Sequence, residues 1–154
     1  MQMINFREAQ TSEAAVLSSI ALQAKAHWGY PAEWLQLWAS ELTISPEQIA
    51  HQNVLVAEIS GELAGFTAVS IHKKQAELEH MWVLPAFMRR GIGRSLVERA
   101  LGQARDNGCE SLRVVSDPGA VPFYQAMGGR VVGEQSSVPA PRALPVVEFN
   151  LYAS

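Results

Sequence analysis

The chain has 154 residues, of which 48% are hydrophobic and 18% are charged, and its formal net charge is −3. This composition is typical of a globular protein with a sizeable core and excludes a disordered chain. The slightly acidic balance argues against a nucleic-acid-binding protein, which would need a basic face. The length predicts a single domain over residues 1–154.

The number of cysteines and the length of the apolar runs indicate in which cellular compartment the protein works. The chain has one cysteine, Cys109, so an internal disulfide is impossible, and we expect a buried structural thiol in a cytoplasmic protein. The N-terminal MQMINFREAQ lacks the apolar core of a signal peptide, and no apolar run approaches the roughly 20 residues of a membrane helix. We therefore expect neither a membrane nor a nucleic acid as a partner. We also predict no metal site. Whether the chain forms a homodimer is left open by the sequence.

The beginning of the chain predicts a strand and a helix. Residues 3–9 have the pattern of a short strand, and Thr11 or Ser12 is expected to cap the helix that follows. Gly29 and Pro31 would end that helix. Its apolar side is predicted to consist of Ala15, Val16, Ser19, Ile20 and Leu22.

Two further helices are predicted before the strands. Pro31 is a favourable first residue for a helix over residues 31–42. Ser45 and Pro46 then have the order of a capped helix start, with Gln48 at capping-box spacing.

The middle of the chain has the pattern of strands. Residues 54–59 and 62–71 flank Ser60 and Gly61 as a hairpin, and residues 76–84 form a third strand. Three consecutive strands of this kind predict an antiparallel meander.

An amphipathic helix over residues 91–107 comes next, and Gly108 is expected to end it. Its apolar face is predicted to consist of Ile92, Leu96, Val97, Ala100, Leu101 and Ala104.

The C-terminal part predicts strands around one short helix. The segments are a strand over residues 111–116, a helix over 119–127, a strand over 129–134, a loop over 136–145 and a last strand over 144–152.

One pair of strands is predicted to be parallel. A long helical connection joins the strand before residue 85 to the strand after residue 110, which favours a parallel pair at residues 78–84 and 112–116. The predicted fold class is therefore α/β, with a mixed, mainly antiparallel sheet.

The helix start near residue 91 has the features of an anion site. A helix N-terminus offers free N–H groups and a partial positive charge, and Gly91 and Gly93 would let an anion approach the backbone. Arg89, Arg90 and Arg94 would add charge-assisted hydrogen bonds. One or two phosphates would suit this site, but neither the dinucleotide fingerprint nor the P-loop pattern is present, and a solvated basic face is the alternative.

Two segments decide between these alternatives. VLPAFMRRGIGRSLVERAL between two strands, followed by DPGAVPFYQAMGGRVVGE, closely resembles the GNAT N-acetyltransferase superfamily. The first segment is similar to that family's acetyl-CoA motif, Gln/Arg-x-x-Gly-x-Gly/Ala, and the second to its Asn-x-x-Ala-x-x-Phe-Tyr-x-x-x-Gly-Phe segment. The resemblance implies a six- to seven-stranded sheet flanked by helices, a splayed parallel strand pair, and acetyl-CoA as co-substrate.

The sequence departs from the family pattern at three positions. Met88 stands at the usual Gln or Arg, so this side chain cannot bind phosphate. Asp117 stands at the usual Asn and would meet the pantetheine arm differently. Gly129 replaces the usual Phe, which removes a packing residue.

The resemblance also implies which residues hold acetyl-CoA and which donate a proton. The pantetheine arm would bond to the backbone of residues 81–83, and the pyrophosphate to the N–H groups of residues 89–94. Tyr124 matches the tyrosine that acts as general acid toward the leaving thiolate, with aromatic packing as the alternative. The expected acetyl-CoA-binding residues are Met81, Trp82, Val83, Met88, Arg89, Arg90, Gly91, Ile92, Gly93, Arg94, Ser95, Asp117 and Phe123.

The amine that attacks the thioester must lose a proton, so a base is needed. Strand alternation predicts Glu77, Glu79, Met81 and Val83 on one face, and Leu78, His80 and Trp82 on the other. Because residues 81–83 follow the acetyl-CoA track, we expect Glu79 to be the base or the group that orients the amine. An ordinary surface glutamate is the alternative, and His80 has the better intrinsic pKa but faces away.

The acceptor site in this family is usually built by the first two helices and their loop. The expected acceptor-binding residues are His27, Trp28, Tyr30, Glu33 and Glu77. Trp34 and Trp38 share one helical stripe, and packing explains them at least as well.

The motifs therefore predict an acetyl-CoA-dependent N-acetyltransferase that transfers an acetyl group to a primary amine by direct attack. The alternative is a non-catalytic acyl-CoA-binding module that acts as a sensor or interaction partner. The acceptor is a small-molecule or peptide amine whose identity the sequence leaves open.

Overall fold

Seven strands form one sheet in the computed structural model, which describes residues 3–139 and 141–152. The strands are β1 (Ile4–Glu8), β2 (Asn53–Ile59), β3 (Glu62–His72), β4 (Gln75–Val83), β5 (Ser111–Val115), β6 (Arg130–Ser137) and β7 (Arg142–Asn150). Their order in the sheet is β1-β2-β3-β4-β5-β7-β6, with β4 and β5 parallel and the other neighbours antiparallel. The predicted fold class is confirmed.

Helices cover both faces of this sheet. They are α1 (Ala14–Ala26), α2 (Ala32–Leu37), α3 (Ala39–Leu42), α4 (Pro46–His51), α5 (Ile92–Asp106) and α6 (Val121–Ala126). Alternate residues of β2 face opposite layers: Val54 and Val56 pack with α1 to α4, whereas Leu55 and Ala57 pack with α5. Among the described residues, no helix has the length and apolar character that crossing a membrane requires.

The first helix begins and packs differently from the prediction. A 3-10 turn over Thr11–Glu13 precedes α1, and the Glu13 carboxylate accepts from the Gln10 N–H at 2.8 Å, so the expected capping by Thr11 or Ser12 is wrong. Val16 and Leu22 are 48% and 45% exposed, so the predicted apolar face is wrong except at Ile20, which is buried. The buried side consists of Ala14, Leu17, Ile20, Ala21, Ala24 and Lys25.

The predicted helix over residues 31–42 is two helices. Trp38 separates α2 from α3 with φ −91° and ψ 0°, and its side chain is buried at 3% exposure. The next helix, α4, has the predicted capping box, since Ser45 Oγ accepts from the Gln48 N–H and Gln48 Oε1 accepts from the Ser45 N–H.

The α5 helix matches the prediction closely. All six residues predicted for its apolar face are buried, and Gly108 follows it with φ +78°. Cys109 is buried beneath its end at 6% exposure, and burial raises the pKa of the thiol, as expected for a structural cysteine.

The parallel strand pair is short. β4 and β5 are paired only at Gln75–Ser111, Ala76–Leu112 and Glu77–Arg113. The predicted pairing range, residues 78–84, is therefore wrong for β4, because the two strands part after residue 77. The parting leaves backbone groups of residues 78–83 facing a gap on the β5 side.

A bulge interrupts β4 where the strands part. Ala68 pairs with His80, and Val69 pairs with Leu78, so Glu79 is an extra residue without a partner in β3.

The bulge changes which side chains share a face. Leu78 and Met81, three residues apart, both pack in the α5 layer, whereas Trp82 packs in the α1 layer. The predicted faces of β4 are therefore wrong across the bulge, since Glu77 lies on the opposite face from Leu78 and Met81.

The last two strands form a longer hairpin than predicted. β6 continues to Ser137 and β7 begins at Arg142, so most of the expected loop over residues 136–145 is strand. The Trp38 indole N–H donates to the Val138 carbonyl at 2.8 Å and ties the hairpin end to the helices.

Candidate active site

A first cavity, of about 460 Å³, lies where β4 and β5 part. Its walls come from residues 78–83 of β4, the start of α5, the end of β5 and α6. Of the residues expected to bind acetyl-CoA, those in its walls are Met81, Trp82, Val83, Met88, Arg89, Gly91, Ile92, Gly93, Arg94, Asp117 and Phe123. We call this space the gap cavity.

The N-terminus of α5 opens into the gap cavity. Gly91 is its N-cap with φ +78°, a conformation that side chains rarely adopt. The Ser95 N–H is bonded to the Gly91 carbonyl at 3.1 Å, so the N–H groups of residues 92–94 are those that helix geometry leaves without intrahelical acceptors. These groups can bind an anion.

Gly93 keeps the cavity open beside that helix start. A Cβ atom on Gly93 would lie 3.7 Å from Phe123 Cζ, 3.7 Å from Val83 Cγ2 and 3.8 Å from Met81 Cε, all side chains of the cavity wall. At Gly91, by contrast, a Cβ atom would meet nothing within 4 Å. Gly91 is thus favoured by its backbone conformation, whereas a Cβ atom on Gly93 would make ordinary contacts and only a larger side chain would fill the cavity beside it.

The arginines near this helix start are arranged differently from one another. Arg89, with φ +64°, and Arg94 line the cavity, and Arg94 pairs with Glu98 at 3.0 Å on the exposed helix surface. The Arg90 guanidinium lies over the Phe87 ring, 5.4 Å from its centroid. Arg90 and Ser95 are outside the cavity wall.

Tyr124 closes the other end of the gap cavity. Its side chain is 4% exposed and packs edge-on against Phe123 and Phe149. Burial, aided by the Asp117 carboxylate, raises the pKa of Tyr124 well above its usual value. The phenol therefore keeps its proton at neutral pH and makes no hydrogen bond within the described residues.

A second cavity, of about 740 Å³, lies on the α1 side of the sheet. Its walls come from α1, the α2–α3 junction, β4 and the β6–β7 hairpin, and include Lys25, Trp38, Glu41, Glu77, Gln135, Val138, Arg142 and Leu144. We call it the hairpin cavity. Most of these residues are far apart in sequence.

The two cavities meet at the bulge of β4. The residues in the walls of both are Leu78, Glu79, His80, Trp82, Val115 and Asp117. A ligand in one cavity can therefore approach a ligand in the other at this junction.

His80 is buried at the junction in a defined tautomer. The Trp82 indole N–H donates to His80 Nδ1 at 3.0 Å, and since indole is only a donor, the proton of the neutral imidazole is on Nε2. Burial lowers the pKa of His80 to about 4. Neutral His80 thus has no free lone pair with which to accept a proton.

The two β4 carboxylates expected at the site, Glu79 and Glu77, differ in solvent exposure. Glu79 is exposed in the bulge, lines both cavities and accepts from Ser70 Oγ at 2.8 Å. Glu77 lines the hairpin cavity and accepts from Gln75 Nε2 at 3.0 Å. Burial, with a smaller effect of Glu79, raises the pKa of Glu77.

Asp117 takes part in a charged cluster rather than standing free. Its Oδ1 accepts from Lys25 Nζ at 2.7 Å and from the Tyr30 hydroxyl at 2.9 Å, and Arg142 Nη2 lies 3.8 Å away. Arg142 Nη2 also donates to the Tyr30 hydroxyl at 3.1 Å. Burial and the neighbouring Asp117 charge raise the pKa of Tyr30.

Aromatic rings enclose the cations of this cluster. Lys25 Nζ lies 4.6 Å from the Trp38 ring centroid, and the Arg142 guanidinium lies 4.8 Å from the same ring. Trp34 and Tyr30 complete the aromatic wall around Arg142. Trp34 and Trp38 therefore pack the helices. Packing was one of the two alternatives that the sequence left open for these residues.

The residues expected at the acceptor site are spread over different places. Trp28 lines the gap cavity, where its ring would lie 3.2 Å from a Cβ atom on Gly119. Tyr30 belongs to the Asp117 cluster. His27 and Glu33 are exposed and belong to neither cavity wall.

Three residues at the hairpin cavity were absent from the predicted site. Lys25 has a recognisable signal, because it continues the helical spacing of the buried residues Leu17, Ala21 and Ala24, and a lysine on an apolar stripe is unusual. Arg142 lies in the segment predicted as a loop, so no local pattern indicated its position. Trp38 was not included among the expected acceptor-binding residues, because packing explained it at least as well.

Gly129 is explained by its surroundings. A Cβ atom there would lie 2.6 Å from Val147 Cγ1 and 3.0 Å from Phe149 Cζ. The position usually occupied by Phe in the family motif must therefore be a glycine in this chain.

The architecture is that of the acetyltransferase class: a mixed sheet with one parting parallel pair and a glycine-bearing helix start at the gap. The chain belongs to the acetyltransferase (GNAT) family, whose sequence model matches residues 19–129. The resemblance inferred from the two motifs is thus confirmed.

Individual relatives agree with this membership. The chain is 30% identical to N-acetyltransferase family 8 member 3 of Rattus norvegicus over 133 residues, covering 80% of this chain and 58% of that protein. It is 29% identical to the peptidyl-lysine N-acetyltransferase YiaC of Escherichia coli over 127 residues, covering 82% and 83%. The matches span 37% to 58% of the length of three curated relatives.

Solved structures share the fold. The PaiA N-acetyltransferase of Thermoplasma acidophilum, crystallised in complex with coenzyme A, superimposes with a TM-score of 0.80 at 19% identity, covering 96% of this chain and 99% of that one.

Proposed function

We propose that this protein is an acetyl-CoA-dependent N-acetyltransferase that acts on a primary amine. The observation that carries the proposal is the junction of the two cavities at the β4 bulge. A thioester bound along the gap cavity and an amine bound in the hairpin cavity would meet at Glu79, His80 and Asp117.

The gap cavity fits the acetyl-CoA co-substrate. The free N–H groups of residues 92–94, with the side chains of Arg89 and Arg94, would hold the pyrophosphate. The unpaired backbone of residues 81–83 would bond to the pantetheine arm. Gly93, where a Cβ atom would enter the cavity, supports this assignment.

Acetyl-CoA supplies the acetyl group as a thioester, and the N–C bond to the acceptor forms as the C–S bond breaks. The attacking amine loses a proton, and Glu79 is the carboxylate exposed to both cavities. Glu79 would take that proton directly or through water. We assign no role as base to His80, because its Nδ1 accepts from the Trp82 indole and its Nε2 bears the proton.

Tyr124 would stabilise the leaving sulfur. The raised pKa of its phenol makes it a weaker acid than a thiol, whose pKa is about 8.5. Tyr124 therefore acts best as a hydrogen-bond donor to the developing thiolate, and the proton that the sulfur finally takes comes from the amine through solvent.

A non-catalytic acyl-CoA-binding module is the second candidate. Met88 offers no charge to a phosphate, and Asp117 is engaged by Lys25, so the family's pattern is incomplete at both positions. The hairpin cavity favours the enzyme, because a module that only binds acyl-CoA needs no second cavity at the thioester end.

The acceptor is a small-molecule or peptide amine. The relative YiaC is named a peptidyl-lysine N-acetyltransferase, so lysine-containing peptides belong among the acceptors to be tested. A cytoplasmic location stays our prediction from the lone buried cysteine.

Binding is tested with two glycines of the same helix. Gly93→Val should weaken acetyl-CoA binding at least tenfold in calorimetry, since its side chain would enter the gap cavity. Gly102→Val is the matched control: a Cβ atom on Gly102 meets nothing within 4 Å, and both variants lose a helical glycine. Equal affinities in the two variants would show that the gap cavity is not the acetyl-CoA site.

Turnover is tested by the release of free CoA from acetyl-CoA with a panel of amino acids, amino acid amides, polyamines and lysine-containing peptides. Release that depends on an amine, with the acetylated amine detected by mass spectrometry, is the expected result. Tight acetyl-CoA binding without release by any amine would instead favour the binding module.

A further inference from the structure

The Arg142 guanidinium has unused hydrogen-bonding capacity in the wall of the hairpin cavity. Its side chain is 15% exposed, and an arginine has five N–H donors. Among residues 3–139 and 141–152, the guanidinium makes one hydrogen bond, from Nη2 to the Tyr30 hydroxyl. The Nε and Nη1 groups have no acceptor within that part of the chain.

The charge of Arg142 is also incompletely balanced. Asp117 lies closer to Lys25, at 2.7 Å, than to Arg142, at 3.8 Å, and both contacts involve the same oxygen. Two cations therefore share one carboxylate in a region that aromatic rings largely enclose. A partly buried cation without a full partner is unfavourable, so an anion supplied by a ligand would be stabilised here.

In the part of the chain that the structure describes, the other carboxylates in the walls of the hairpin cavity do not pair with these two cations. Glu41, Glu77 and Glu79 line it, but neither Arg142 nor Lys25 forms an ion pair with any of the three within the described residues. The cavity thus has a cationic part at the β7 end and an acidic part along β4.

The cationic part is close to the junction. Asp117 lines both cavities, and Arg142 lies 3.8 Å from its carboxylate. Glu79 and Arg142 both line the hairpin cavity, so one acceptor molecule bound in that cavity could contact both side chains.

We propose that the acceptor is a small amino acid-type molecule whose carboxylate binds Arg142 while its amine lies at the junction beside Glu79. This inference rests on the proposed transferase function and narrows its acceptor class. The guanidinium fork would hold the carboxylate along one edge, through the second N–H of Nη2 together with Nε or Nη1, a geometry that arginine provides and lysine does not.

Matched acceptor pairs test the proposal on the unmodified protein. Each of the common L-amino acids is compared with its own α-carboxamide by CoA release. At least one acid should exceed its carboxamide about tenfold or more in kcat/KM, mainly through KM. The amine of the carboxamide is less basic and hence more available at neutral pH, so this bias opposes the expected result. Carboxamides or spermidine turned over as well as the acids would overturn the proposal.

Variants of Arg142 test whether this side chain causes the preference for the acid over the carboxamide. Arg142→Gln should remove the preference for the acid, and Arg142→Lys should restore it only in part. Arg105→Gln, an exposed arginine at the far end of α5, should leave the preference intact. A preference for acids that persists in folded Arg142→Gln would place the carboxylate site elsewhere.

A binding readout separates this proposal from the transferase function. Calorimetry of the same acids and carboxamides with CoA-saturated protein requires no turnover. Binding of an acid and not of its carboxamide supports the subsite even if no amine releases CoA, in which case only the transferase proposal fails. If peptides are turned over but no acid binds, the subsite is wrong and the transferase function stands.

Discussion

The two cavities are built in different ways. The gap cavity has apolar side chains in its walls, but the groups expected to hold its ligand are largely backbone groups of parting strands and of a helix N-terminus. The hairpin cavity is formed by side chains from α1, the α2–α3 junction, β4 and β7. A backbone-built site depends on contiguous segments, whereas a site built from side chains can change its ligand through single substitutions.

This difference agrees with the chemistry proposed for each side. The co-substrate is shared by a family, and N–H groups at a helix start bind a phosphate whatever the surrounding side chains. The acceptor differs between members, and here its cavity carries charged groups with individual partners. The following experiments test the gap cavity and the hairpin cavity separately. They are ordered from the largest expected change in free energy to the smallest.

The largest effect is expected from Asp117→Asn, which restores the family's usual residue. In this chain it would leave the Lys25 charge without its 2.7 Å partner in a site where both side chains are only 11% and 12% exposed. We expect a loss of about 3 kcal/mol in the free energy of unfolding, measured with urea.

The double variant Lys25→Met with Asp117→Asn is the control, since it removes both charges and should recover most of that loss. Asp117→Asn with unchanged stability would show that the ion pair contributes nothing to the fold.

His80 should make stability depend on pH. Burial holds its pKa in the folded state at about 4, below the ordinary 6.5, so the unfolded chain binds the proton first as pH falls. The stability due to neutral His80 is complete above pH 6.5 and is lost as pH falls toward 4.

The loss in wild type should be on the order of 3 kcal/mol larger than in His80→Asn, whose side-chain oxygen can still accept from Trp82. His51→Gln, at an exposed position, should behave like wild type. Parallel pH curves for wild type and His80→Asn would refute the buried neutral imidazole.

The sequence predicted the gap cavity better than the hairpin cavity, for the same structural reason. The helix start and its apolar face follow from local patterns. The parting strand pair and the role of Tyr124 were implied by the family resemblance, and the residues at which β4 and β5 part were predicted wrongly. Arg142 reaches the site through a hairpin that pairs β6 with β7, which no local pattern reveals. Lys25 went unnoticed because the wrong face of α1 was predicted as buried.

The bulge at Glu79 shows a second limit of sequence reading. Alternation holds before and after the extra residue, but its phase changes there, so Leu78 and Met81 come to face the same layer. Strand periodicity alone contains no signal for a bulge. The family and the fold class were nevertheless predicted correctly, since neither depends on that phase.

Tyr124→Phe tests the chemistry at the end of the gap cavity. It removes the hydroxyl and keeps the ring packing with Phe123 and Phe149, so the melting temperature and acetyl-CoA affinity should change little. We expect kcat to fall about a hundredfold.

Because burial raises the pKa of Tyr124, the loss should be similar at every pH between about 6 and 9. A loss confined to alkaline pH would mean that the phenol ionises in that range. Unchanged kcat would eliminate the hydroxyl from the reaction.

Glu79→Gln is expected to have the smallest effect and tests the junction itself. The carboxylate is exposed, and water can replace a solvent-accessible base in part, so a fall in kcat of about tenfold is expected at neutral pH. Acetyl-CoA affinity should stay within about twofold, since the proposed contacts to acetyl-CoA come from backbone groups and arginines and not from this side chain. Glu77→Gln is the matched comparison: Glu77 lines only the hairpin cavity, so its loss should raise the KM of the acceptor and leave kcat nearly unchanged. The two neighbouring carboxylates thereby report on different steps, Glu79 on proton removal at the junction and Glu77 on acceptor binding. If Glu77→Gln lowers kcat and Glu79→Gln does not, the base lies in the hairpin cavity, and the amine must lose its proton before it reaches the junction.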